Sequence, residues 1–142
     1  MASIETFRRI IDPTDCDMLG HMNISRYFGC VSDAGLGLMT AFGLGQDQIT
    51  GGRRQAFAMV HSDANYHREV LAGEWIYMRS AVAEIGRRSA TFKHWMHRAT
   101  DDKLLFDVTA KCVLMDLDKR RATVIDDALA TAMQTFLTEH PA

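Results

Sequence analysis

The sequence predicts an α+β domain in which an antiparallel sheet of about five strands wraps one long central helix, with a further helix at the C-terminal end. Three observations predict it. Apolar residues recur at a spacing of three and four from Ile24 to Phe42, the period of one helix face. Beyond residue 55 the pattern changes to period two in four successive stretches, as half-buried strands require. The connections between those stretches are too short for parallel crossovers, so the strands form an antiparallel meander.

Taken in order, residues 4–11 alternate roughly and read as a first strand. Asp12-Pro13-Thr14-Asp15 ends it, because proline has no N–H to give to a ladder. The helix starts beside Asn23 and Ser25, whose side-chain oxygens can accept first-turn N–H groups. Its apolar stripe is Ile24, Tyr27, Phe28, Val31, Ala34, Leu38 and Ala41 or Phe42. Gly29, Gly35 and Gly37 interrupt it, each costing ~1 kcal/mol against alanine. Close approach of another backbone is the simplest reason for them. Gly43-Leu44-Gly45 closes the helix as a left-handed cap would. Residues 46–54 then read as a loop and a candidate mobile rim. Residues 56–66, 74–85, 89–98 and 104–115 are the four strands of the meander. Residues 126–139 form a terminal amphipathic helix with Asp126 as its cap. A sheet layer of this kind leaves an edge unpaired, so self-association is expected.

Composition limits the function. The chain has 142 residues, which suits one domain over residues 1–142. A net charge of −2 gives no electrostatic case for nucleic acid or an anionic membrane surface. No run approaches the ~18 apolar residues of a membrane span. The start Met1-Ala2-Ser3-Ile4-Glu5 lacks the basic and apolar regions of a signal peptide, so the expected compartment is the cytoplasm. Cys16, Cys30 and Cys112 are scattered, without a C-x-x-C pair, which argues against a disulfide framework and a zinc site. His94 and His97 are three apart on a strand, so they point to opposite faces and cannot share a metal.

The stretch Asp15-Cys16-Asp17-Met18-Leu19-Gly20-His21-Met22-Asn23 sets acid, imidazole and a glycine turn just before a helix start. That start carries partial positive charge and unpaired donors, so it suits a developing anion. Asp17 can act as a base on water or as a nucleophile; as a plain structural residue it would cap a turn. His21 can orient the acid, hydrogen-bond a reacting oxygen or anchor the loop. The N–H groups of Asn23 and Ile24 are the best oxyanion donors available, although Asn23 also reads as a simple N-cap. Arg87 and Arg88, in a tight turn before Ser89, could bind phosphates or merely be solvated. Arg53 and Arg54 are candidates for the same job.

The order D-C-D-x-x-G-H-x-N-x-x-x-Y over residues 15–27, ahead of a helix and long strands, resembles the 4-hydroxybenzoyl-CoA-thioesterase-like family of hotdog-fold acyl-CoA thioesterases. The likeness runs over about residues 4–115, with Gly86-Arg87-Arg88-Ser89 as a second match. It implies the hotdog fold and hydrolysis of an acyl-CoA thioester. It puts the catalytic carboxylate on Asp17, the oxyanion site at Asn23 and Ile24, and a coenzyme A contact on the Arg87, Arg88 and Ser89 turn. His21 and Tyr27 would shape the pocket. No metal or cofactor is implied, since coenzyme A is part of the substrate, and a homodimer or homotetramer is expected. Some branches use an acid in mid-helix; Ser32 takes that place here. Asp33, one residue on, lies off the apolar stripe and is expected to be a solvated or interfacial charge. Two other functions share the fold: an acyl-CoA hydratase or dehydratase, which would pair Asp17 with His21, and a non-catalytic acyl-CoA-binding module.

Overall fold

The computed structural model describes residues 3–138. The elements are β1 (Ile4–Ile10), a 3-10 turn (Pro13–Asp15), α1 (Ile24–Ala41), α2 (Gln46–Thr50), β2 (Gln55–Tyr66), β3 (Trp75–Ile85), β4 (Ser89–Arg98), β5 (Leu104–Asp116), β6 (Arg121–Ala122) and α3 (Asp127–Gln134). One antiparallel sheet runs in the order β1-β3-β4-β5-β2, with the short β6 paired to β5. The period-two stretches therefore become the sheet, and α1 lies across the face that carries their apolar residues.

The direction of α1 over the sheet positions everything that follows. At its start the Tyr27 ring sits 4.9 Å from that of Phe106. Just past its other end Phe42 sits 6.0 Å from Phe57, whose partner on β5 is Leu114. The helix thus runs along β5 from its beginning toward its end. Two apolar clusters result. One, around Tyr27, Met78, Met96 and Phe106, lies under the start of α1. The other, around Phe42, Phe57, Phe92 and Met133, brings in α3. Each fully buried side chain of this size removes enough apolar surface from water to contribute ~1.5–3 kcal/mol.

Several local expectations change. The segment 46–54 is not all loop: Gly45 precedes the short helix α2, and Arg54 then takes a positive φ of 55° ahead of β2. The terminal helix stops at Gln134, and Leu137 bridges in parallel to Val82. Its expected last residue, Glu139, lies outside the described residues, as do Met1 and Ala2. On α1, Ile24 is exposed rather than part of the stripe, while Cys30 and Met39 join the buried face. The end of α1 is closed as expected: Gly43 has φ +91°, and the Leu44 N–H reaches back to the Met39 carbonyl at 2.8 Å.

The three helix glycines do not share one reason. A Cβ on Gly37 would lie 2.6 Å from the Thr6 carbonyl oxygen of β1, so that strand can pass only over a glycine. Cβ atoms on Gly29 and Gly35 would meet nothing within 4 Å. Gly37→Ala is therefore expected to lower the unfolding midpoint, because backbone must shift to admit the methyl group. Gly29→Ala is expected to raise stability by ~0.5–1 kcal/mol through helix propensity. Urea denaturation of the two variants beside the wild type checks both signs.

Candidate active site

The loop between β1 and α1 is built by its own carboxylates. Asp12 accepts from the Thr14 N–H at 2.8 Å, and Asp15 accepts from the Asp12 N–H at 2.9 Å, a reciprocal box that fixes the 3-10 turn. Asp15 is buried and ion-paired with Arg9, with the Arg26 guanidinium at 3.8 Å. Of the two acids in the motif, Asp15 is the structural one. Beyond it the chain makes a small loop: Cys16 and Met22 bridge antiparallel, and Gly20 takes φ +87° at the bend. The Met22 N–H is held by the Val70 carbonyl at 2.7 Å, which ties the loop to the turn before β3.

Asp17 is presented by that loop. One carboxylate oxygen accepts from the Leu19 N–H at 2.9 Å, and the other from the Asn23 Nδ2 at 2.8 Å. The Asn23 amide first, and the Leu19 N–H second, hold its carboxyl below the usual carboxylate range. It is therefore ionised at neutral pH, which either a base on water or a nucleophile requires. Asn23 does more than cap. Its Oδ1 accepts from the Ser25 N–H at 3.0 Å and from the Ser25 hydroxyl at 2.8 Å, while its Nδ2 holds Asp17.

The pair of oxyanion donors read from the sequence is reduced to one. The Asn23 backbone N–H donates to the Asp15 carbonyl at 2.8 Å and is already committed. Ile24 is the first residue of α1, its N–H has no partner among the described residues, and its side chain is exposed. This is the open donor at the helix start.

His21 does not pair with Asp17. Its Nδ1 lies 3.1 Å from the Met22 carbonyl, an acceptor only, so the neutral ring carries its proton on Nδ1 and presents Nε2 as an acceptor. His21, Ile24, Tyr27 and Tyr66 line an open cavity of about 320 Å³ whose rim carries Arg68 and Glu69. Tyr27 is buried against Tyr66 and Phe106, and burial pushes its hydroxyl up to about 12.

The structure brings Asp17, His21, Asn23, Ile24 and Tyr27 together and leaves Arg87, Arg88 and Ser89 elsewhere. Tyr27 packs on Phe106 at one end of β5, whereas Ser89 pairs with Val113, seven residues along, roughly 23 Å at ~3.3 Å per residue. There Arg88 shares a polar groove with Lys119, Arg121 and Asp116. Arg53 and Arg54 are engaged at the same end, by Asp126 and Asp118. Asp33 is exposed on α1. Ser32 instead lines a second cavity, of about 350 Å³, between mid-helix and the sheet, with Phe28, Phe57, Phe92 and His94. By spacing alone His94 is notable only as a metal ligand that His97 cannot join. Its period-two register with Ala90, Phe92 and Met96 was the signal that it faces inward, and it is 2% exposed. His97, on the other face, stacks on Tyr77 at 5.1 Å.

Comparison with known proteins gives the family and the fold. The sequence model of the thioesterase-like superfamily matches residues 11–133. Among solved structures, Slr0204, a 1,4-dihydroxy-2-naphthoyl-CoA thioesterase from Synechocystis, superposes with a TM-score of 0.79 at 15% identity, covering 98% of this chain and 99% of its own. YbaW from Escherichia coli, a probable thioesterase, gives 0.76 at 15%, covering 97% and 100%. SAV2348 from Staphylococcus aureus, solved in complex with CoA, gives 0.82 at 11%, covering 100% and 89%. At these identities the structural likeness is one of fold, the hotdog fold. No curated protein matches the sequence. The chain belongs to the thioesterase-like superfamily. It is an enzyme of the thioesterase class. Among the described residues no helix is long and apolar enough to cross a membrane.

Asn23→Ala removes both the cap and the donor to Asp17. Followed by carboxyl NMR, the Asp17 titration midpoint is expected below the ordinary 3.8 in the wild type and higher in Asn23→Ala. The same change is expected to cost ~1 kcal/mol of stability as a lost N-cap. An unmoved midpoint would contradict the role given to Asn23.

Proposed function

We propose that the protein hydrolyses an acyl-coenzyme A thioester to the carboxylic acid and free coenzyme A. The observation that carries this reading is an ionised carboxylate, Asp17, fixed beside a helix start whose Ile24 N–H is open. With Asp17 as base, it takes a proton from water as the water oxygen attacks the thioester carbonyl carbon. The developing oxyanion meets the Ile24 N–H and the positive end of α1, and collapse expels the coenzyme A thiolate, which regains the proton. With Asp17 as nucleophile, its oxygen forms a mixed anhydride and expels the thiolate, and water then cleaves the anhydride. Neither route calls for a metal or a redox cofactor. The CoA complex of the structurally similar SAV2348 supports coenzyme A as the carrier.

A second copy of the chain completes the site in this reading. β2 is twelve residues long and pairs on one side only, leaving an edge with Met59, Val60 and Tyr66 exposed. Such an edge is a template for another strand. Pairing two β2 edges antiparallel about a two-fold axis sets the Tyr66 end of one copy against the Gln55 end of the other. The Asp17 loop of one copy would then face the mid-helix cavity and the basic Arg87 and Arg88 turn of its partner; within one chain that turn lies at the other end of β5. The acyl group would enter the cavity and the nucleotide phosphates would lie on the basic turn.

A thiol-release assay with a panel of aliphatic and aromatic acyl-CoA thioesters tests the reading. The wild type is expected to release coenzyme A, and Asp17→Asn to lose roughly 10²–10⁴-fold in turnover with coenzyme A binding retained. Undiminished turnover in Asp17→Asn would remove Asp17 from the chemistry. Coenzyme A binding with no release from any thioester would favour the binding module.

A further inference from the structure

The cavity beside the helix start has an imidazole in its wall with a carboxylate behind it, and the two routes above use neither group. His67 follows the last residue of β2 and lines that cavity together with Ile24, Tyr27 and Tyr66. Its Nε2 lies 2.5 Å from the Oδ2 of Asp107. Asp107 sits on β5 between Phe106 and Val108, both in the core, so its side chain leaves the sheet on the opposite face. It is buried all the same, and its other oxygen accepts from the Lys93 Nζ at 2.7 Å and the Asn65 Nδ2 at 3.2 Å. Burial alone would raise the Asp107 carboxyl, but the His67, Lys93 and Asn65 donors outweigh it and hold it below the ordinary range. An ionised carboxylate only accepts, so the proton between the two groups belongs to His67 Nε2. In the neutral ring the lone pair is then on Nδ1, which has no partner among the described residues.

Two simpler uses of the pair do not account for it. Asp107 does not need His67 as a counter-charge, because Lys93 supplies one. The end of β2 does not need the ring as a brace either: the His67 and Arg68 N–H groups both donate to the Leu105 carbonyl, at 2.8 and 3.2 Å. What the pair does achieve is orientation. A buried anion holds the far nitrogen of a ring whose near nitrogen stays open, on a side chain that is 41% exposed. A carboxylate that fixes the tautomer in this way prepares an imidazole to take a proton. Ile24 stands in the same cavity wall, and Asn23, one residue before it, holds Asp17. His21 shares the wall but has only the Met22 carbonyl behind its ring.

We propose that His67 is a second catalytic residue, the base that activates water to release the acyl group from Asp17, and that Asp107 is its positioning residue. This rests on the hydrolytic reading and selects its nucleophilic route. An Asp17 oxygen attacks the thioester carbon, the C–S bond breaks, and the mixed anhydride and the coenzyme A thiolate form. A water oxygen then attacks the acyl carbon of the anhydride while its proton passes to His67 Nδ1. Collapse breaks the bond between that carbon and the Asp17 oxygen, which returns as a carboxylate, and frees the carboxylic acid. The imidazolium gives its Nδ1 proton to the thiolate, so Asp17 and His67 both end as they began.

Rapid-quench thiol release separates this role from bracing, with the best thioester of the panel above as substrate. The wild type, Asp17→Asn, His67→Gln and Asp107→Asn are compared. His67→Gln keeps an N–H within reach of Asp107 but has no basic nitrogen, and Asp107→Asn removes the anion that fixes the tautomer. Both are expected to release about one thiol per site at close to the wild-type rate, because forming the anhydride does not use His67. Both are then expected to turn over roughly 10²–10⁴-fold more slowly. Asp17→Asn is expected to lose the first release as well. A brace would slow the first and later turnovers alike. That result, or steady turnover in His67→Gln within about twofold of the wild type, would overturn the proposal and leave hydrolysis by Asp17 standing. His67→Gln decides alone if Asp107→Asn does not fold. If the wild type releases no thiol from any thioester, the hydrolytic reading fails and the role of His67 falls with it.

Discussion

The site depends on one residue, Asn23, and on four of the hydrogen bonds it makes at once. Its backbone N–H closes onto Asp15, its side-chain oxygen caps α1 through two Ser25 donors, and its side-chain nitrogen holds Asp17. The carboxylate and the helix start are therefore fixed to each other by one amide rather than by two independent loops. This matters because stabilising a developing charge works through donors and acceptors placed before the reaction begins. Behind Asn23, the buried Asp15 with its arginine partners keeps the loop from relaxing. A motif with two acids thus divides their work: one is spent on structure so that the other can be held for chemistry.

The sheet supplies the second constraint. α1 can lie along β5 only because β1 passes over Gly37, and its direction puts the Asp17 loop at one end of the sheet and the basic turn at the other. Between them the junction of the two apolar clusters is incompletely filled, and the cavity floored by His94 occupies it. A single chain therefore holds the Asp17 carboxylate, a mid-helix cavity and a basic surface, spread along one helix. In the dimer proposed above, antiparallel pairing of two β2 edges would convert that spacing into two composite sites.

Much of this was legible in the residues. Alternation along 104–115 placed Phe106, Val108, Ala110, Cys112 and Leu114 on one face, and all five are buried in the core. The stretch 15–23 marked both the loop and the helix start. What was not legible depends on contacts between distant segments. Nothing near Asn23 in sequence says that its N–H is taken by Asp15, because that depends on how the loop folds back. Gly29, Gly35 and Gly37 look alike in sequence; only the path of β1 separates them. Arg87 and Arg88 read as a phosphate contact by residue type, but only strand register places them at the end of β5 away from Asp17. His94 was hidden for a related reason, since a histidine on an inward strand position reveals a cavity only once the helix above it is placed. The helix α2 and the two-residue β6 are too short to leave a periodic signal.

The central claim, that one site is built from two copies, is tested most directly by mixing inactive variants. One carries Asp17→Asn, and the other Gly35→Phe, which fills the mid-helix cavity from the helix side. Both are purified folded, assayed for thiol release alone, then mixed one to one, dissociated and reassembled. If the site is composite, half of the reassembled dimers are hybrids with one intact site, and activity returns to about a quarter of the wild-type level. If mixed dimers form and activity stays at that of the parents, each site is complete within one chain and the account is wrong.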